Sequence, residues 1–201
     1  MNLIEVYHHA LANEECDILI KMFEDDPNKV EGCVNFHGQP GQEVPDIKKS
    51  TDLTITKDDD GYNYIVMNSL SKYLRKYSDK FPFLNVVEEW TASYVYNIQR
   101  YDDGEGYFRL HCEHSSVRPY RILAWMYYLN DAECGTYFPT QEITLNATKG
   151  DLAVWPAFWT HPHKGVTPNI GTKYIVTGWV EHVPCKIEHQ DQLHQVGYYR
   201  E

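Results

Sequence analysis

From residue 86 onward the chain breaks into short runs that read as strands, each closed by a turn signal. The runs cover 92–101, 107–113, 120–130, 135–139, 143–147, 151–157, 159–163 and 173–182. Between them stand Asp102-Asp103-Gly104, Asn130-Asp131, Lys149-Gly150-Asp151 and Pro168-Asn169. Gly, Asn and Asp tolerate left-handed backbone and Pro presets φ, so these clusters reverse the chain. Many short strands at such intervals predict a sandwich or barrel. Sixteen tyrosines and five tryptophans fit the same reading, because aromatic side chains suit pleated surfaces.

The first 85 residues have a different texture. "LIEVY" reads as a short strand. A helix follows, with Asn13 as N-cap, Glu14 and Glu15 in its first turn, and Pro27 beyond its end. Cys16, Leu19, Ile20 and Phe23 fall on one helical face. Residues 28–50 read as loop with a strand near Val34, and "KKSTDLTI" as a strand. Asp58-Asp59-Asp60 opens a second helix over 61–78, whose buried stripe is Val66, Leu70, Tyr73, Leu74 and Tyr77. The fold class is α+β, mainly β, with a jelly-roll core and N-terminal flanking helices. A length of 201 residues suits one domain: 1–85 as helical and lid support, 86–182 as core, 183–201 as a polar tail.

Charge and cysteine usage narrow the function. A net charge of -11 argues against sequence-independent nucleic-acid binding, which needs a basic surface. No run of ~18 apolar residues is present, so no membrane span is expected. The N-terminus lacks the basic and apolar blocks of a secretory signal. Five cysteines, an odd number with no C-x-x-C, indicate neither a disulfide framework nor a zinc ribbon. A reducing cytoplasmic setting follows as an expectation.

The stretch "YFRLHCEHSSVRPYRILAWMYYLND" carries the chemistry. On a strand, His111 and Glu113 share a face. An imidazole nitrogen and a carboxylate oxygen side by side offer two donors to a divalent metal. "WPAFWTHPHKGVTP" supplies His161 and His163, and either would complete two histidines and one carboxylate. That set leaves positions open and is the arrangement of non-haem Fe(II) oxygenases. A second match to H-x-[DE], His189-Gln190-Asp191, lies near the C-terminus with no strand system after it. His114 reads as a loop neighbour. Lys173, ten positions after His163, enters an aromatic strand, where a buried ammonium needs an anionic partner.

These residues resemble the Fe(II)- and 2-oxoglutarate-dependent dioxygenases, prolyl-4-hydroxylase-like branch. "LANEECDILIKMFE" resembles the family's opening helix, "QRYDDGEGYFRLHCE" its H-x-D segment, "ILAWMYYLND" with "CGTYFP" its YLN strand and G-G-x-T-x-F turn, and "KGDLAVWPAFWTHPHKGVTPNIGTKYIVTGW" the end of its fold. The resemblance implies a double-stranded β-helix. It implies His111, Glu113 and His163 as iron ligands, with His161 the alternative third. Lys173 would bind the distal carboxylate of 2-oxoglutarate, Tyr101 and Tyr128 would line that pocket, and Thr177 and Trp179 would lie on the strand leaving it. The implied cofactors are Fe(II), 2-oxoglutarate and O2, with ascorbate in support. Trp125, Trp155, Phe158 and Trp159 are candidates for a dry shell, and 28–60 for a loop over the mouth. The implied activity is hydroxylation of an unactivated C–H bond, with a prolyl residue of a peptide or protein as the family-level substrate. Three departures stand out: Glu113 replaces the usual Asp, Cys134-Gly135 replaces the double glycine, and His161 duplicates the distal histidine beside His163. The competing readings are a jelly-roll binding module, which has no use for Lys173, and a cupin-like metalloenzyme without 2-oxoglutarate.

Overall fold

The computed structural model describes residues 2–36, 39–168 and 170–183; His189-Gln190-Asp191 and nearly all of the 183–201 tail lie outside these. In chain order the elements are β1 (Glu5–Tyr7), α1 (Asn13–Asp25), β2 (Val30–Glu31), β3 (Val34–Phe36), β4 (Gln39–Gln42), β5 (Lys48–Lys49), β6 (Thr51–Ile55), α2 (Asp60–Lys80) and α3 (Leu84–Val87). Then follow β7 (Trp90–Ala92), β8 (Tyr96–Tyr101), β9 (Gly106–Tyr107), β10 (Arg121–Tyr128), β11 (Ala132–Phe138), β12 (Ile143–Ala147), β13 (Leu152–Pro156), β14 (Lys164–Val166) and β15 (Lys173–His182).

Two antiparallel sheets make the jelly roll. The larger runs β1-β13-β10-β15-β8-β6-β2, with β7 also paired to β15, and the smaller runs β12-β11-β14. The N-terminal region adds strands to both edges. Its β1, β2 and β6 extend the large sheet on both sides, and β3 and β4 pair in a separate two-stranded sheet. The strands expected near Val34 and within "KKSTDLTI" are present as β3, β5 and β6, while β2 and β4 stand where only loop was expected, because short polar strands carry little periodicity to read.

Side-chain alternation sorts the large sheet's two faces. On β10, Trp125 and Tyr127 join the stripes of α1 and α2 in one core of buried residues that includes Leu19, Phe23, Val66 and Leu70. Ala124 and Tyr128 point the other way, into smaller clusters between the sheets. On β15, Val176 and Val180 face the helices, while Lys173, Ile175, Thr177 and Trp179 line a cavity on the opposite face. β8 repeats the division: Tyr96 and Ile98 face the helices, and Asn97, Gln99 and Tyr101 face the cavity.

Local details differ from expectation for identifiable reasons. Asn13 is the first helical residue of α1, and Ala12 is the N-cap. The Ala12 N–H donates to Glu15 Oε2 at 2.8 Å, so acid three residues on satisfies the terminus without a capping side chain. Cys134-Gly135 is not a turn but lies inside β11, beside an irregularity in its pairing with β12. A Cβ at Gly135 would stand 1.7 Å from the Leu145 carbonyl oxygen, so only glycine permits that approach.

Candidate active site

The strand expected over 107–113 ends at Tyr107. His111 continues only as an isolated bridge, exchanging main-chain bonds with His163: His111 N–H to His163 O at 3.0 Å, His163 N–H to His111 O at 2.9 Å. Glu113 lies in a bend, its N–H donating to Ala157 O at 3.0 Å. The strand expected over 159–163 is likewise replaced by a turn, with β14 beginning at Lys164. Strand periodicity therefore does not aim these side chains. A two-residue contact between distant segments does.

One ligand atom from each of His111, Glu113 and His163 lies within 4.8 Å of the others. His111 Nε2 is 3.3 Å and His163 Nε2 3.4 Å from Glu113 Oε1. Main-chain carbonyls set both tautomers. His111 Nδ1 lies 3.0 Å from Arg109 O, and His163 Nδ1 lies 3.1 Å from His161 O. A carbonyl can only accept, so each Nδ1 carries a proton and each Nε2 is turned toward the carboxylate. Burial and the neighbouring His111 imidazole lower the pKa of His163, which disfavours an imidazolium there. Burial by itself would raise Glu113; its carboxyl lies well below the ordinary range when the two rings are protonated at Nε2, and with both lone pairs turned inward a cation must take that place. Three donor atoms converging on one point need a cation among them, and this set suits Fe(II).

The second oxygen of Glu113 is also fixed. Trp179 Nε1 donates to Oε2 at 2.8 Å, and Arg121 Nη1 does so at 3.4 Å. The Arg121 guanidinium stacks on the Trp179 ring, 3.4 Å from its centroid. Tyr107 stacks on the His111 ring at 3.8 Å between centroids. Trp155 and Phe138 back the His163 ring at 5.1 and 5.3 Å. Among the expected dry-shell residues, Trp155 thus stands behind a ligand. Trp125 belongs to the core under the helices, Phe158 packs at that core's edge, and Trp159 is 77% exposed and shields nothing.

His161 is buried but stands apart from the cluster, its Nδ1 2.9 Å from Thr160 Oγ1. His114 Nδ1 lies 3.2 Å from Arg121 O, a contact within the loop.

Lys173 lines the same cavity, which holds about 550 Å³. It is buried; among the described residues its Nζ donates only to the carbonyls of Val166 and Gly135, at 3.3 and 3.4 Å, no carboxylate lies within ion-pair distance, and the Tyr101 ring is 4.9 Å away. Burial lowers its pKa. A buried ammonium facing a cavity without a carboxylate partner is costly until an anion arrives. Thr177 lines the cavity and donates to Trp125 O at 3.1 Å. Tyr128 is buried behind the wall, its hydroxyl 2.8 Å from Thr136 Oγ1, and Thr136 lines the cavity.

One buried network involves residues that the motifs above do not single out. Asp52 pairs with Lys48 and accepts from Ser50 Oγ at 2.7 Å and from Gln99 Nε2 at 3.0 Å. Gln99 then presents Oε1 to the Tyr101 hydroxyl at 2.7 Å. Because a carboxylate only accepts, the bond polarity runs one way, and Tyr101 must donate to Gln99. Its hydroxyl proton is committed inside the wall. The signal that could have revealed this wall is the alternation of Asn97 and Gln99 with Tyr96 and Ile98.

Residues 96–181 match the model of the 2OG-Fe(II) oxygenase superfamily. Over that span the chain is similar to that superfamily. Solved structures agree with its fold. A viral collagen prolyl hydroxylase from Paramecium Bursaria Chlorella virus-1, in complex with 2OG, aligns at TM-score 0.68 with 18% identity over 90% of this chain and 97% of that one. A Pseudomonas putida prolyl-4-hydroxylase gives 0.64 and 16%, covering 90% and 93%. A Trichoplax adhaerens prolyl hydroxylase, in complex with a hypoxia inducible factor peptide fragment, gives 0.64 and 17%, covering 90% and 84%. No curated protein sequence matches. The matched span holds all three clustered residues and Lys173. No helix among the described residues is long and apolar enough to cross a membrane.

Proposed function

We propose that the chain hydroxylates an unactivated C–H bond of a peptide, with a prolyl residue as the target, and releases succinate and CO2. The single observation carrying this is Lys173, a buried ammonium with no carboxylate partner among the described residues, in the cavity that also holds the His111–Glu113–His163 cluster. In this reading His111 Nε2, Glu113 Oε1 and His163 Nε2 hold Fe(II), and Lys173 receives the far carboxylate of 2-oxoglutarate. When bound, metal and co-substrate supply the oxidising chemistry with O2. The protein's own work is positional. The carbonyls of Arg109 and His161 keep both Nε2 lone pairs available. Trp179 and Arg121 occupy the second carboxylate oxygen, which keeps Glu113 to one donor and leaves coordination positions for the reactants.

The prolyl target is supported by fold likeness to prolyl hydroxylases. A cupin-like metal site or a binding module would have no use for a buried lysine with no anion. The unit carrying the activity is 1–201, with 1–85 as support, 86–182 as core and 183–201 as tail, and its setting is cytoplasmic. The test is succinate release from 2-oxoglutarate under Fe(II), O2 and ascorbate, which proceeds slowly even without the second substrate. Wild type should release succinate and His111→Ala should not. Equal traces from both would end the proposal.

A further inference from the structure

Building on that oxygenase reading, we propose that its peptide substrate is acidic, with carboxylates flanking the reacting residue and received by Arg109 and Arg118 at the cavity mouth. The chain as a whole has 29 acidic and 18 basic residues. The cavity wall reverses that ratio: Lys48, Arg109, Arg118, Arg121 and Lys173 stand against Asp52 and Glu113 alone.

Most of these charges are already answered. Lys48 pairs with Asp52, and Arg121 lies between Glu113 and Glu181 at 3.4 and 3.6 Å. A ferrous ion, Glu113, a 2-oxoglutarate dianion and Lys173 together carry no net charge. Arg109 and Arg118 remain. Both are exposed, and among the described residues neither has a carboxylate within ion-pair distance; Arg118 Nη1 donates only to the Val117 carbonyl, at 3.0 Å. They share one segment with His111 and Glu113. That segment is stitched down by the His111–His163 exchange, by Glu113 and His114 N–H bonds to Ala157 O, and by a bridge between Ser115 and Arg118. The two cations are therefore held beside the metal ligands, not on an independent loop.

An acidic exterior repels an acidic peptide at long range, but exposed charges are screened beyond ~8 Å at physiological salt. Inside the cleft, walls of one sign focus the local field and decide the choice. Leu110, Val117 and Tyr120, all exposed on the same segment, offer apolar contact to the peptide between its charges.

The test compares three synthetic peptides centred on Glu-Pro-Glu, Ser-Pro-Ser and Lys-Pro-Lys, with the full chain loaded with Fe(II) and 2-oxoglutarate. Peptide-stimulated succinate release and product mass are measured. The glutamate peptide should show a KM roughly tenfold or more below that of the lysine peptide, a gap that narrows as salt rises. The Arg109→Glu/Arg118→Glu double variant should invert the order and use the lysine peptide better than wild type does. Misfolding cannot produce that gain. Equal KM values, a wild-type preference for lysine, or an unchanged order in the double variant would each overturn the inference. Three inert peptides alongside continuing peptide-free succinate release would overturn it and leave the oxygenase reading standing. No succinate under any condition would remove the oxygenase reading itself.

Discussion

Glu113 has one methylene more than aspartate, and its surroundings answer that extra reach. Its Oε2 is held by an indole N–H at 2.8 Å and a guanidinium at 3.4 Å, so only Oε1 faces the imidazoles. Trp179→Phe removes the indole donor while keeping an aromatic ring under Arg121. It should weaken Mn(II) binding by about 10- to 100-fold, as loss of such outer partners does at other metal sites, and titration calorimetry would measure it. Lys173 gives a pH prediction. Burial lowers its folded pKa below the unfolded value, so the folded state binds fewer protons, and its unfavourable contribution fades as pH rises from the folded value toward the unfolded one. Lys173→Met should therefore be more stable than wild type at neutral pH in the absence of 2-oxoglutarate, with the gap closing as pH rises toward ordinary lysine values. Urea denaturation at several pH values would show it. The same variant should lose binding of 2-oxoglutarate.

Elements contribute by delivering faces. β15 presents Lys173, Ile175, Thr177 and Trp179 to the cavity and Val176 and Val180 to the helices, so a one-residue slip would exchange reactive for structural residues. Pairing on both sides, with β10 and β8, holds the register. At Gly178 a Cβ would stand 2.3 Å from the Trp125 ring and 2.8 Å from the Tyr96 Cβ. Gly178→Ala should then cost about 1–3 kcal/mol through overpacking, and Leu70→Ala, a cavity under α2, about 2–5 kcal/mol; chemical denaturation would check both. The periodic elements were legible in advance: the stripes of α1 and α2 and the strands carrying Trp125 and Val176 lie where spacing puts them. The strands Val30–Glu31 and Gln39–Gln42 were not. So short an element has no period, and only a partner strand defines it.

For the whole molecule, the two ends of the core must meet before any site exists. His111 and His163 are 52 positions apart, and their mutual main-chain bonds bring the ligand segments together. A metal bound only by the folded form should raise thermal stability, by about 2.7 kcal/mol at a hundredfold excess over Kd. His163→Ala should abolish that Mn(II)-dependent rise in Tm, and His161→Ala should keep most of it. The reverse ranking would move the third ligand to His161. By itself the sequence determined the class of fold, the two flanking helices and the residue types able to hold a ferrous ion, because periodicity and side-chain chemistry are local properties. Tertiary structure alone decided which of two histidines joins the cluster, that Tyr101 donates to Gln99, and that Lys173 has no carboxylate partner among the described residues. Each of these depends on which atoms from distant segments come within about 3 Å, and no spacing along a chain records that.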